Sequence, residues 1–518
     1  MVAEAIHRRR WLILAGLVAS EFVVELDSTI VNVALPNMSR SLGASTSDLQ
    51  WVVDAYVLPY AALLLFAGTL ADTIGSRRLL FAGLAAFAAG STLAALSPGA
   101  WQLIGARAVT GIGAACVLPA TLAVLVSVFT PSEYARAFSV WAVVIGLAFA
   151  VGPTLGGWLV EQDGWRAIFW INLPIVAGSL VAVAILVPAS ERTASSTPDV
   201  VGACLSIVGL TSVIYAVIEA PRLGWTSAPV LATFAAGALV LFAFASWENR
   251  AASPMLDTHL FHDRRFNAAV TTLGLTFLAI AGALFILTQY LQFGLHASPL
   301  AAGVRMLPVA IIFAAASPLS VVASRRLGTR VTVSGGLGLV ATALGLMALL
   351  MSDRSGYGLV LCALLIGGAG MGMALTPATE IVLGALPPSR AGVSSAVNTT
   401  SLTLGIALGV AIMGSILSSR YHIAVSAFTH PAQPGTLRSI GSALADRAHQ
   451  TTAQHALLAA TARHVFVAAA RPALLVGSVI AASGATLALA LLPSTLALDS
   501  PNRKDSAAAI AAKAAEPS

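Results

Sequence analysis

Long apolar runs separated by short polar breaks dominate the chain, a spacing far coarser than strand alternation or the amphipathic stripe of a soluble helix. Runs of about 17–25 apolar residues are the length at which a helix crosses a lipid core. Fourteen are found, at about 12–33, 51–70, 79–97, 102–126, 137–160, 168–188, 201–219, 228–245, 267–292, 303–323, 331–351, 357–378, 394–417 and 472–492. The seventh is the least clear, since it ends on Glu219. The pattern predicts an all-α integral membrane protein with 14 spans.

The breaks differ in charge. With the N-terminus inside, the inner breaks and termini hold seventeen Arg and Lys, among them Arg8, Arg9, Arg10, Arg77, Arg78, Arg136, Arg325, Arg326 and Arg330. The short outer loops hold four, Arg40, Arg166, Arg222 and Arg354. Positive charge stays inside, so both termini are expected in the cytoplasm of a multi-pass protein of the plasma or inner membrane.

Composition agrees. Apolar residues are 58% and charged residues 10% of 518, against about 25% charged in a soluble domain, which leaves lipid as the solvent. The net charge of +6 is spread over many short loops. It is a topology signal, and no nucleic-acid partner is expected. The opening "HRRRWLILAGLVAS" resembles a secretory signal, yet no small-residue cleavage site precedes Glu21 and the run continues to Val33, so it reads as an uncleaved first helix. Cys116, Cys204 and Cys362 all lie inside runs, too far apart for a metal motif. His422, His430, His449, His455 and His464 gather in an Ala-rich outer segment, 418–470. On a helix His455 and His464 lie about 180° apart, so the segment reads as a solvated loop and no metal or other cofactor is expected.

Two halves are visible. "GTLADTIGSRRLL" (68–80) follows the second run and "VVASRRLGTRVTV" (321–333) follows the tenth, each a tight basic loop between spans. Aligning Gly75 with Gly328 sets Arg77 on Arg330 and Asp72 on Arg325. Repeated halves are common in secondary transporters. The division expected is an N-terminal six-helix half (1–190), two inserted spans with cytoplasmic linkers (191–266), a C-terminal six-helix half carrying the outer segment (267–498) and a polar tail (499–518).

Four stretches carry a family resemblance: "LDSTIVNVALP" (26–36), "GTLADTIGSRR" (68–78), "LIGARAVTGIGAA" (103–115) and "GLAFAVGPTLGG" (146–157). "WRAIFWINLP" (165–174), "LQFGLHASPLAAGVRMLP" (291–308) and "NTTSLTLGIALG" (398–409) support it. The chain resembles the major facilitator superfamily, in particular its fourteen-span drug:proton antiporter branch (the EmrB/QacA type). The resemblance implies two six-helix halves plus two inserted helices. It implies that Asp72 meets the positive N-terminus of a helix of the other half, here span 13 near Gly392. Gly68, Gly75 and Arg77 belong to that loop motif. Gly146, Gly152, Pro153, Gly156 and Gly157 belong to the span-5 antiporter motif. Physically, small residues let helices touch backbone to backbone, and Pro153 removes a helical hydrogen bond. The sequence departs from the family's pattern where Val109 takes the place of a glutamine, and where Ser401-Leu402 replace an Arg-Gln pair in span 13, which leaves a charge relay there without its arginine.

The candidate chemistry lies in "ASEFVVELDSTIVNVALP" (19–36). On a helix Glu21 and Glu25 are about 40° apart, with Ser28 and Asn32 on the same stripe and Asp27 on another side. The stripe is expected to line a central cavity. Asp27 is expected to face neighbouring helices and Arg107 of span 4, which lies at matching depth. Buried charge costs ~2.5–3.5 kcal/mol on insertion scales and is normally paired and functional. Asp54 adds a fourth acid near the outer end of span 2, where a boundary position is the plain alternative. The last six spans are expected to hold no acid, with Gln289, Tyr290, Gln292, Asn398 and Thr399 as neutral cavity groups. A carboxylate that holds either a proton or a lipophilic cation exchanges one for the other.

The reading is a proton-coupled exporter of small amphipathic or cationic compounds, a multidrug efflux antiporter working by alternating access on a proton gradient. It is no enzyme, and a monomer is expected. Its partners are the small-molecule substrate and the bilayer, with a periplasmic adaptor left open. The rivals are a transporter of one native metabolite, and a channel or membrane-embedded enzyme. An enzyme needs nucleophiles or histidines clustered within the spans, a channel needs a repeated pore segment, and GxxxxGK[ST] for ATP is absent.

Overall fold

A computed structural model describes residues 2–130, 133–188, 199–251, 263–352, 355–384, 391–426 and 452–492. The linker 189–200 apart from its end, most of 246–266, the middle of 418–470 with His430 and His449, and the tail 499–518 lie outside the described residues. The fold is all-helical: α1 (Val2–Leu42), α2 (Thr46–Ile74), α3 (Ser76–Ala95), α4 (Ala100–Val128), α5 (Tyr134–Asp163), α6 (Ala167–Trp170), α7 (Asn172–Leu186), α8 (Val200–Leu223), α9 (Ala228–Glu248), α10 (Arg264–Gln289), α11 (Pro299–Leu327), α12 (Thr329–Leu350), α13 (Tyr357–Gly384), α14 (Ala391–Ser426) and α15 (Thr452–Leu491). Among the described residues, 12 helices are long and apolar enough to cross a membrane, α6 and α7 together forming one of them. The other two predicted runs, 12–33 and 137–160, fall on α1 and α5.

Local chemistry fixes the turns. Gly43 has φ 62° between α1 and α2, and Ser45 and Asp48 cap α2 reciprocally, closing two open N–H groups at once. Gly75 (φ 93°) and Gly328 (φ 88°) turn the chain between α2 and α3 and between α11 and α12, in the left-handed region that glycine enters at no cost. The run predicted at 168–188 is interrupted into α6 and α7, and α10 ends in a π-turn, Tyr290–Gly294. One expectation fails. Glu380 lies inside the membrane-length run Tyr357–Val382, because a helix in lipid must close its backbone bonds beyond the point where side-chain hydropathy falls.

Helices α1 to α7 pack on one another, as do α10 to α15; α2 meets α14 and α5 meets α11 across a seam, and α8 lies against both α2 and α14 with α9 on its far side. Glycine sets the closest approaches. A Cβ on Gly111 of α4 would stand 2.2 Å from the Tyr56 carbonyl of α2, and one on Gly113 would stand 2.6 Å from the Phe87 nitrogen of α3.

An arginine pattern recurs. Arg77 Nη2 at the start of α3 donates to the Ala184 carbonyl of α7 (2.5 Å). Arg330 at the start of α12 donates to the Leu489 and Ala490 carbonyls of α15. Pro188 and Pro493 stand four residues beyond Ala184 and Leu489. Proline has no N–H, so neither carbonyl has a helical donor and the guanidinium supplies one. In return Arg166 donates to the Ser97 carbonyl just past α3 (2.9 Å), and Arg471 of α15 to the Ala348 and Leu349 carbonyls of α12 (2.8 and 3.1 Å). Cations at helix C-termini also meet the negative end of the dipole.

Candidate functional site

The acids of α1 fall into two surroundings. Asp27 is fully buried. Its Oδ2 accepts from Arg107 Nη1 of α4, and its Oδ1 accepts from Asn172 Nδ2 of α7 (2.8 Å). Asn172 Nδ2 also reaches Ser91 Oγ of α3 (3.1 Å). Arg107 is itself held by the Val52 carbonyl (3.1 Å), with its guanidinium carbon 4.3 Å from the Tyr56 ring centre and 5.9 Å from that of Phe169. Tyr56 Oη donates to the Val24 carbonyl (3.0 Å). The pair thus ties α1 to α2, α3, α4 and α7, with both charges hydrogen-bonded, as burial of an ion pair requires.

Glu25 is different. Phe22, Glu25, Ser28 and Asn32 are half-buried, whereas Val23, Val24, Leu26, Ile30 and Val31 between them are buried. One accessible stripe therefore runs along α1 and carries a single acid. The Tyr60 hydroxyl of α2 sits beside Glu25 without a formed hydrogen bond. Glu21, expected on the same stripe, is buried, and its Oε2 accepts from Thr121 of α4 at 3.5 Å. Helix α1 rests on α4 there, which covers what helical angle alone leaves open.

Asp54 is fully buried, and neither carboxyl oxygen has a hydrogen-bond partner. Of the neutral groups, Gln292 Nε2 donates to the Val33 carbonyl of α1 (2.8 Å), and Gln289 Nε2 to the Phe285 carbonyl (3.0 Å). Gln289, Tyr290, Gln292 and Asn398 are buried, while Thr399 is half-buried. They pack helices more than they line a space.

The span-5 glycines divide too. A Cβ on Gly152 would stand 2.1 Å from Thr29 Oγ1, and one on Gly156 2.5 Å from Ile30 Cγ1, both of α1. On Gly157 it would stand 2.3 Å from the Pro299 carbonyl of α11. Gly303 of α11 replies, its Cβ position 2.1 Å from the Pro153 carbonyl. Gly146 and Gly68 have open space instead. Gly75 and Arg77 act at the α2–α3 turn as described. Asp72 is in α2, but its side chain lies outside the described residues, as do those at the start of α14 around Gly392.

Sequence reasoning missed Tyr60, Thr121, Ser91 and Asn172. Only Asn172 left a trace, as a lone amide within "FWINLP".

The sequence profile described as Major Facilitator Superfamily matches residues 17–410. The chain belongs to that superfamily. Among its relatives is the multidrug resistance protein Stp of Mycobacterium tuberculosis, 36% identical over 414 residues, covering 80% of this chain and 77% of Stp. The multidrug efflux pump LfrA of Mycolicibacterium smegmatis is 33% identical over 483 residues, covering 92% of this chain and 95% of LfrA. Among solved structures, a bacterial homolog of the human lysosomal transporter Spinster, in an inward-facing and unoccupied conformation, superposes with a TM-score of 0.67 at 14% identity. It covers 93% of this chain and 96% of that one, a likeness of fold. The superfamily member described here is a multi-pass membrane transporter acting on small molecules, and not an enzyme.

Proposed function

We propose that the protein exports small amphipathic or cationic compounds in exchange for protons, by alternating access, from the cytoplasm across the plasma or inner membrane. The observation that carries this reading is the division of the α1 acids. Glu25 is reachable on a stripe that also offers Phe22, Ser28 and Asn32, while Asp27, two residues on, is sealed with Arg107. An aromatic ring beside an accessible carboxylate suits a lipophilic cation, and the sealed pair is a charge whose partner must change if Asp27 takes a proton. The names of Stp and LfrA agree with drug export.

We further read α1 and α5 as membrane spans, for 14 in all, of the drug:proton antiporter branch. Two of α1's acids are buried inside the bundle, so its polarity is no bar to crossing lipid. Helix α5, 30 residues long, is packed between α1 and α11. The halves are 1–190 and 267–498, with α8 and α9 inserted between them. Both termini are cytoplasmic, by the positive-charge asymmetry of the loops. Gly157, at the α5–α11 seam, closes the outer side, and Gly152 and Gly156 hold α5 against α1 beside it. The protein works as a monomer.

The test is efflux of one cationic and one neutral dye from energised vesicles, with and without a protonophore. Protonophore-sensitive export of the cationic dye is expected. Export that persists without a proton gradient, or none of any dye panel at normal protein level, overturns the reading.

A further inference from the structure

Asp54 sits where α2 meets both α14 and α8. One turn before it, Gln50 Nε2 donates to the Val410 and Ala411 carbonyls of α14 (3.1 and 2.9 Å) and to Ser415 Oγ (3.3 Å). Ser47 Oγ donates to the Ile218 carbonyl of α8 (3.3 Å), and the Trp51 and Tyr215 rings lie 6.0 Å apart. Ser415 Oγ closes the triangle on the Val217 carbonyl of α8 (2.7 Å), an acceptor whose own helical donor is missing because residue 221 is proline. At about 100° per residue, Asp54 falls between the directions of Gln50 and Trp51. Its side chain therefore points into the junction of α2, α8 and α14, and there it is buried with both oxygens unpartnered.

The groups that face this junction do not neutralise it. From α14 it receives Ser415 and no acid or base between 397 and 418. From α8 come Tyr215, its ring tilted against Trp51, and Glu219, paired with Arg222 at the helix end. From α4 comes Arg107, committed to Asp27 and the Val52 carbonyl. From α1 come Asp27, so committed, and Glu21 and Glu25, on other faces. On α2 itself Asp48 is tied to the Ser45 cap. An unpaired carboxylate charge is among the costliest things to bury, and in practice the group is neutralised instead.

We propose that Asp54 is a proton-binding latch on the α2–α8–α14 junction: it keeps its proton while the junction is closed and gives it up to water when the junction opens. Proton binding and junction closure then favour each other reciprocally, as any two linked equilibria must. The inserted helix α8 is part of the device, since it walls the dry side of the acid. The inference rests on the alternating-access reading above, in which this seam must open.

The test uses the full chain in lipid nanodiscs, with Cys116, Cys204 and Cys362 changed to Ala and spin labels at Ser41→Cys and Arg420→Cys, both exposed near the junction. Distances are measured by double electron–electron resonance from about pH 5 to about pH 9, a range that brackets perturbed carboxylates. A longer-distance population should grow with pH, its ratio to the short one changing by up to about tenfold per pH unit for one proton. Asp54→Asn and Asp54→Leu should keep the short distance at every pH, with an unchanged or higher melting temperature, since no partner is lost. An Asp54→Asn that follows pH as the wild type does, an Asp54→Leu that loses the short-distance population, or a wild type blind to pH each overturns the latch. Dye efflux separates the two readings. Absent export beside an intact pH response removes the exporter and leaves the latch; normal export beside a flat response does the reverse.

Discussion

Gly303 of α11 lies against the Pro153 carbonyl of α5, so near that a single methyl group would stand 2.1 Å from the oxygen. Four residues further along α5, Gly157 meets Pro299 of α11 in the same way at 2.3 Å. The two helices interlock by backbone, which is how helices associate when lipid gives no hydrophobic drive.

Gly303→Ala and Gly157→Ala should therefore hold the seam apart. Export should fall at least about tenfold, which corresponds to about 1.4 kcal/mol, with the protein still in the membrane. Gly156→Leu, which drives a side chain into Ile30, should abolish export. Gly146→Ala and Gly68→Ala, in open space, should be silent. Dye efflux normalised to membrane protein level checks all five, and equal effects across the set would refute the seam assignment.

Asp27→Asn should impair proton-driven export of every substrate and lower protein level. It leaves Arg107 buried with its charge unmatched, at a cost of ~3–5 kcal/mol. Asp27→Asn with Arg107→Gln should recover folding better than Asp27→Asn alone, without restoring coupling. Thermal melting in detergent reads the folding arm. A double variant no more stable than the single would mean the pair does not carry that energy.

Glu25→Gln should weaken export of a cationic dye and spare a neutral one, because it removes the acid on the accessible stripe of α1 and leaves the sealed pair intact. If Glu25→Gln and Asp27→Asn lose both dyes equally, the separation of roles between them is wrong.

Arg77→Gln should destabilise by about 1 kcal/mol, the net worth of a hydrogen bond. Pro188→Ala should recover part of that loss, since it returns an N–H to the Ala184 carbonyl. Differential scanning fluorimetry of the two single variants and the double variant measures this. A strictly additive double variant would show that Arg77 does not stand in for the missing donor.

Much of this was legible in advance. Apolar runs located the helices, because in lipid a helix must close its own backbone bonds. Gly75 and Gly328 marked matching turns, and matching depth paired Asp27 with Arg107. The rest depends on which helix covers which. Helical angle put Glu21 beside Glu25, but α4 covers Glu21. Asp54 read as a candidate acid with a boundary position as the alternative, because nothing in span 2 says that it is buried without a partner. Gln289 and Gln292 read as cavity groups, yet their amides bond to backbone carbonyls. Glu380 escaped because a run scored by side chains ends at a charge while the helix does not.

The reciprocal arginine bonds between α3 and α7, and between α12 and α15, have a mechanical consequence. Each antiparallel pair is pinned at both ends, α3–α7 by Arg77 and by Arg166 just before α6, and α12–α15 by Arg330 and Arg471. A shear of one residue along the axis, about 1.5 Å, would break both pins together. Sliding is thereby the stiff direction within each bundle. What compliance the molecule has is left to the glycine-lined seams, and the bundles turn on those as braced frames turn on a hinge.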